Sequence, residues 1–307
     1  MPTTRRQFLM TAAAAAAAAQ AAANQTKIRF GGPIFLKSTD PREQAAEHRR
    51  LGYSAAYCPA DASLKDLPHI VQIREAFARE NVIIAEVGAW KNMLDPDDSI
   101  RKSNLAYVTE RMALADEVGA RCCVDIAGSY NPKVWYGPHR DNLSRKFFDG
   151  TVANARHIID SVKPKRTKFT VEMMGWNLPD NPDNYLKLIQ AVDRPAFAVH
   201  VDVCNIINSP EKFYNSTAVI EECFRKLGRW IMSCHAKDLA WPAELNVHFV
   251  EVIPGRGDVD YAAYLRELAK LPTDAPLMME HLKTADEYDE GKRYIQSVAK
   301  TAGLEFA

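Results

Sequence analysis

The sequence predicts a closed (β/α)8 barrel, an α/β fold in a single domain. Short apolar runs alternate with longer amphipathic ones along the chain beyond its first 26 residues, and there are eight such pairs. No Gly-x-Gly-x-x-Gly follows the first apolar run, which argues against an open doubly wound sheet. No Pro/Gly/Ser-rich linker divides the chain, and about 280 residues suffice for one large core.

The 307-residue chain opens on TTRRQFLM and a weakly apolar alanine run. Arg5 and Arg6 followed by Phe8 and Leu9 have the layout of a twin-arginine export signal, with cleavage near Ala23. Residues 1–26 are therefore assigned to the signal and a short linker, and residues 27–307 to the barrel. This predicts a periplasmic protein exported already folded, a route on which a metal can be acquired in the cytoplasm. No later run approaches the roughly 20 apolar residues of a membrane span, so stable membrane association is not expected.

The expected strands follow in order as KIRFGG, YSAAYC, VIIAEVGAW, RCCVDIAG, KFTVEMM, FAVHVDV, IMSCHAKD and PLMMEHL. Between strands three and four, Ile100, Leu105, Val108, Met112 and Ala115 keep helical spacing after an Asp/Ser start signal. VIEECFRKLGRW and VDYAAYLRELAKL behave likewise. The longest non-periodic stretches, residues 128–142 and 238–258, follow strands four and seven, which places them on the active-site face.

Composition narrows the partners. Lys plus Arg and Asp plus Glu both number 39, and no basic run follows the signal, so neither nucleic acid nor an anionic membrane is an expected partner. The six cysteines show no C-x-x-C spacing and read as small buried apolar residues. Homo-oligomer formation through exposed helix faces is compatible with the sequence.

Four ionisable residues interrupt apolar strands near their C-terminal ends: Glu172, Asp202, His235 and Glu280, on strands five to eight. Their spacings of 30, 33 and 45 residues are each about one βα unit, so in a barrel they converge on one side of the mouth. Three carboxylates and an imidazole do not share a dry cavity as bare charges, because like charges and lost hydration both oppose ionisation. A divalent cation resolves this. The O3N donor set suits Mn2+ or Mg2+ and admits Co2+, Fe2+ or Zn2+. Glu86, Asp125 and His200 also sit in strands and read as polar barrel-lining or substrate-facing groups; His139, His248 and His281 read as loop residues or supports.

With TVEMMGW, HVDVCN, SCHAKDL, EVIPGRGDVDYAAYL and PLMMEHL in place, the mature chain resembles the xylose-isomerase-like TIM barrels, specifically the sugar phosphate isomerase/epimerase group. The resemblance implies a divalent metal held by Glu172, Asp202, His235 and Glu280, and a sugar-like substrate chelated through adjacent oxygens. Against the ketose 3-epimerase pattern, Asn205 stands for a histidine, Glu251 for an arginine and Leu178 for an acidic residue. The metal centre survives these departures; the substrate-binding shell differs.

The expected activity is that of a metal-dependent isomerase or epimerase acting on a sugar or sugar derivative. Glu172 and Glu280 would be the base/acid pair that removes and returns a proton alpha to a carbonyl, through a metal-stabilised enediolate. Lys237, Asn205, Trp176 and Trp90 are the expected substrate contacts, Lys237 having an ion pair with Asp238 or Glu251 as its alternative. A lyase eliminating β to a carbonyl from a keto-sugar, keto-glycoside or keto-inositol is the second reading. A non-catalytic carbohydrate-binding barrel is the third, and metal-dependent phosphodiester cleavage is disfavoured by the absence of a basic groove.

Overall fold

The computed structural model describes residues 27–307. The export signal expected over residues 1–26 lies outside the described residues. Eight parallel strands close into a barrel in the order β1 (Phe30–Gly31), β10 (Leu277–Met279), β7 (Ile231–Ala236), β6 (Phe197–Val201), β5 (Lys168–Glu172), β4 (Cys122–Ile126), β3 (Ile83–Gly88), β2 (Ala55–Tyr57). Each of the eight strands lies within the run expected for it. The remaining two strands, β8 (Asp238–Ala240) and β9 (Val250–Val252), form a separate antiparallel pair in the long segment after β7.

The helices begin and end where side chains can satisfy their free backbone groups. Asp97 accepts from Ser99 and Ile100 N–H at the start of the helix Asp98–Val118, and Gly119 closes it in the left-handed conformation. Ser144, Asn181 and Thr284 cap the helices Arg145–Val162, Pro182–Val192 and Ala285–Thr301 in the same way. The apolar faces of the helices pack on the outward residues of the strands, among them Cys123, Phe169, Val171, Phe197 and Val199. Gly31 lets β1 approach β2 closely, since a Cβ there would overlap the Ala55 carbonyl.

Two irregularities set what faces inward. The β2–β3 register shifts between Ala56 and Tyr57, so that Tyr57 pairs with Glu86. Ile83 and Ala85 pack in the barrel with Ala55 and Met278, yet Glu86 also turns inward; only a bulge permits both. A second shift between Val199 and His200 pairs His200 with Ser233. Asp125, by contrast, alternates with Val124 and Ile126 and pairs with Val171 on the outward face. It accepts from the N–H of Lys91 and Ile126 and does not line the barrel, which corrects the sequence expectation.

Candidate metal centre

Glu172 is the last residue of β5, His235 lies in β7, and Asp202 and Glu280 follow β6 and β10 directly. These four strands are neighbours in the barrel, and one donor atom from each residue lies within 4.8 Å of every other. His235 Nδ1 is 2.9 Å from Glu280 Oε1, 3.2 Å from Glu172 Oε1 and 3.7 Å from Asp202 Oδ2.

Local structure aims each group. Asp202 caps the short helix Val203–Ile206, its Oδ1 accepting from Cys204 and Asn205 N–H, which leaves Oδ2 pointing into the cluster. Asn205 Nδ2 donates to Glu172 Oε1 at 2.8 Å. The Tyr264 and Tyr261 hydroxyls donate to the carbonyls of His235 and Lys237, pinning the end of β7. Tyr57 does the same for Met279, one residue before Glu280.

Lys237 is buried, with Nζ 2.8 Å from both Asp202 Oδ2 and Glu280 Oε1 and 3.5 Å from Glu251 Oε1. It does not pair with Asp238. That carboxylate instead accepts four backbone N–H groups, from Leu239, Gly255, Gly257 and Val259. Asp238 thereby folds the PGRGD turn back onto β8, and the β8–β9 pairing sets Glu251 opposite Leu239.

Electrostatics follow the geometry. Burial alone would raise the Asp202 carboxyl, but Lys237 and His235 outweigh it and hold the acid well below the usual range. Burial is likewise outweighed at Glu280 by His235 and Lys237, which bring it to about 2. His235 is raised far above an ordinary imidazole: burial opposes its charge, but Glu280, Glu86 and Glu172 together favour it more. Lys237 is raised for the same kind of reason, by Asp202 and Glu280.

The donor set fits a divalent ion. Asp202 Oδ2 and Glu280 Oε1 are buried, and the groups that meet them are Lys237 Nζ, 2.8 Å from each, and His235 Nδ1, at 3.7 and 2.9 Å. Three carboxylate oxygens and an imidazole nitrogen, with one donor atom of each residue within 4.8 Å of every other, form a set suited to Mg2+, Mn2+ or a related ion.

Beneath this layer lies one not assigned as a unit from sequence. Glu86 Oε1 accepts from His200 Nε2 at 2.9 Å and from the Ser233 hydroxyl, while Glu86 Oε2 lies 3.3 Å from His235 Nε2. Burial would raise Glu86, but His200 and His235 override it and keep it ionised. His235 thus presents Nδ1 to the mouth and is oriented through Nε2 by a buried carboxylate, the usual support of a metal-binding histidine.

The centre opens into a cavity of about 600 Å3. Glu172, Glu280, Lys237 and Asn205 line it, with Trp90, Trp176, Glu251 and His281; Asp202 and His235 do not reach it. Trp90 lies two residues past β3, with its ring centroid 6.5 Å from that of His235. All eight residues assigned from sequence are therefore brought together. Trp135 and Tyr136 of the strand-four loop complete the lining; the length and aromatic content of that loop were the signal for them. His281 reaches the rim and bonds Glu251 at 2.8 Å, His248 pairs with Glu244 on the surface, and His139 stays in the strand-four loop.

Solved structures of low identity share this fold. A xylose isomerase-like TIM barrel protein from Mycobacterium smegmatis in complex with magnesium is 18% identical, with a TM-score of 0.63 over 91% of this chain and 98% of that one. Endonuclease IV from Thermus thermophilus is 14% identical, TM-score 0.64, over 90% and 100%. The 3-keto-D-glucoside 4-epimerase of E. coli is 12% identical, TM-score 0.60, over 89% and 100%. No curated protein matches the sequence. A family model matches residues 42–298, more than half of the chain, and the protein accordingly belongs to the xylose isomerase-like TIM barrel family.

Proposed function

We propose that this protein is a divalent-metal-dependent isomerase or epimerase of a sugar or sugar derivative, working by proton transfer alpha to a carbonyl. One observation carries the reading: four strand ends aim an O3N donor set, three carboxylates around one imidazole and beside Lys237, at the floor of a cavity large enough for a sugar. The magnesium complex and the keto-glucoside epimerase among the structural neighbours support it. Endonuclease IV shares the fold, but the balanced charge of this chain favours a neutral carbohydrate over a nucleic acid.

The accessibility of the four groups divides their roles. Glu172, Asp202, His235 and Glu280 would hold the ion; bound there, it supplies Lewis acidity that stabilises negative charge on substrate oxygens. Asp202 and His235, sealed beneath the cavity, hold and orient. Glu172 and Glu280 face the cavity and serve as the base and acid, one taking the proton from the carbon next to the carbonyl and the other returning it. Lys237 donates to the oxygen on which charge develops as the enediolate forms, and Asn205 keeps Glu172 in place. Trp90 offers its ring face to the C–H surface of the reacting sugar, and Trp176 offers one to a further part of the substrate. Delivery to the periplasm by the twin-arginine signal belongs to the same proposal.

A second reading, β-elimination, is favoured by the Glu251–His281 pair at the rim. Hydrogen bonding to Glu251 raises the His281 imidazole, so a proton is available there for a departing oxygen. One experiment separates the readings. Protein loaded with Mn2+ is incubated in D2O with a panel of ketoses and keto-glycosides. Deuterium at the carbon beside the carbonyl, with the skeleton intact, supports the isomerase or epimerase. Release of an aglycone or an ultraviolet-absorbing enone supports the lyase, and neither result across the panel rejects proton abstraction.

A further inference from the structure

The cavity is lined in two chemically distinct ways. Glu172, Glu280, Lys237 and Asn205 supply its charged and polar lining, and Trp135, Tyr136 and Trp176 an aromatic cluster tied together by the Trp176–Tyr136 and Trp135–Tyr136 contacts. A single sugar ring held by the carboxylate side is adequately faced by Trp90, which lies beside His235. The wall formed by Trp135, Tyr136 and Trp176 then has nothing to cover it.

That wall is built rather than incidental. Trp135 and Tyr136 are 39% and 47% exposed, but the loop beneath them is held in part by Ser129 and Asn142, which have no exposure. Ser129 Oγ donates to the Gly137 carbonyl at 2.6 Å, and Asn142 Nδ2 donates to the same carbonyl and to Ser129 Oγ. Asn131 Oδ1 accepts from the N–H of Lys133 and Val134, and its amide nitrogen donates to the Pro138 carbonyl. Trp176 Nε1 donates to the Tyr136 carbonyl at 2.7 Å, locking the third ring to the loop that carries the other two. The Trp135 and Tyr136 rings meet edge to face, with centroids 5.3 Å apart. A fully hydrogen-bonded platform that presents bare aromatic surface to a deep cavity is arranged for a ligand.

We propose that the Trp135–Tyr136–Trp176 wall is a subsite for a second ring with a flat apolar face, attached to the sugar held at the carboxylate side, so that the substrate is a glycoside rather than a free monosaccharide. This rests on the carbohydrate reading above. Aryl groups and a second pyranose share that chemistry, and the test tells them apart.

The full-length, Mn2+-loaded protein is titrated calorimetrically with methyl, phenyl and glucosyl glucosides of each anomer, which lack the carbonyl and do not turn over. The phenyl or glucosyl compound of one anomer should bind about tenfold tighter than its methyl counterpart, the scale of one ring stacking on aromatic side chains. A gain for phenyl alone assigns an aryl group; a gain for both assigns any flat ring. The Trp135→Ala/Tyr136→Ala double variant should lose the gain while keeping its affinity for Mn2+ and for methyl glucoside. If that variant does not fold by circular dichroism, Trp135→Leu, which keeps an apolar face without the ring, carries the comparison. Metal-dependent binding of methyl glucoside with no gain from a second ring, or a gain that survives these substitutions, overturns the subsite and leaves the carbohydrate reading standing. Failure of every compound to bind overturns both.

Discussion

Two layers of ionisable side chains lie one above the other in this barrel, and they share His235. In the lower layer both Glu86 oxygens have partners, His200 and Ser233 on one and His235 on the other, while His200 Nδ1 has none. The upper layer sets three carboxylates against the same imidazole and Lys237, with Asp202 Oδ2 and Glu280 Oε1 both 2.8 Å from the one ammonium. Glu86, His200 and His235 also come close enough together to hold an ion. Yet a carboxylate already saturated by donors has nothing further to offer a cation. The difference between the layers is one of composition: one carboxylate shared by three donors orients His235, whereas three carboxylates around one imidazole and one ammonium leave the excess negative charge that the proposed ion would meet.

The comparison can be broken from the top. Glu280→Gln, and separately Glu172→Gln, should reduce deuterium exchange into a responsive substrate by about a hundredfold to ten-thousandfold, the usual contribution of a positioned acid or base. Full exchange in either variant would remove that residue from the acid/base pair.

Acid attacks both layers. Because the Glu280 carboxyl is brought down from 4.5 to about 2 in the folded protein, its stabilisation is fully present above pH 4.5 and is lost as pH falls toward 2. Metal-free wild type should lose a few kcal/mol more than Glu280→Gln across that window, measured by urea unfolding at each pH. Equal losses would show that the ion pairs with His235 and Lys237 do not stabilise the fold.

Metal separates the layers again. At a free Mn2+ concentration one hundred times its Kd, the folded state should gain about 2.7 kcal/mol over protein in chelator, read as a higher Tm. Asp202→Asn should abolish the gain, whereas His200→Gln, confined to the lower layer, should retain most of it. The smallest expected effect tests the support itself. Glu86→Gln should weaken Mn2+ binding about tenfold to a hundredfold in a chelator competition, because the imidazole loses the acceptor that orients it. Unchanged affinity would make the lower layer merely structural packing.

Much of the upper layer was legible because each of its members breaks a rule. A carboxylate or imidazole closing an otherwise apolar strand is costly unless something compensates it, and four of them at βα spacing name both the barrel and the mouth. Asp125 breaks the same rule for a different reason: it faces outward and accepts the backbone of the segment after β3. A strand buried on both faces shows no alternation by which the inward residues could be read. Trp135 and Tyr136 were visible only as an aromatic loop, since nothing local in that stretch encodes the buried Ser129–Asn142 platform that fixes them.

What the sequence determined by itself is the barrel, the order of its strands and the four ionisable ends, because periodicity and a misplaced charge are local signals. Which nitrogen of His235 faces the mouth, where Lys237 rests, and that Glu86, expected from its strand to line the barrel, meets His200, Ser233 and His235 there were decided only in the tertiary structure. Those outcomes depend on two register shifts between neighbouring strands, and a register is a relation between distant segments that neither segment specifies alone.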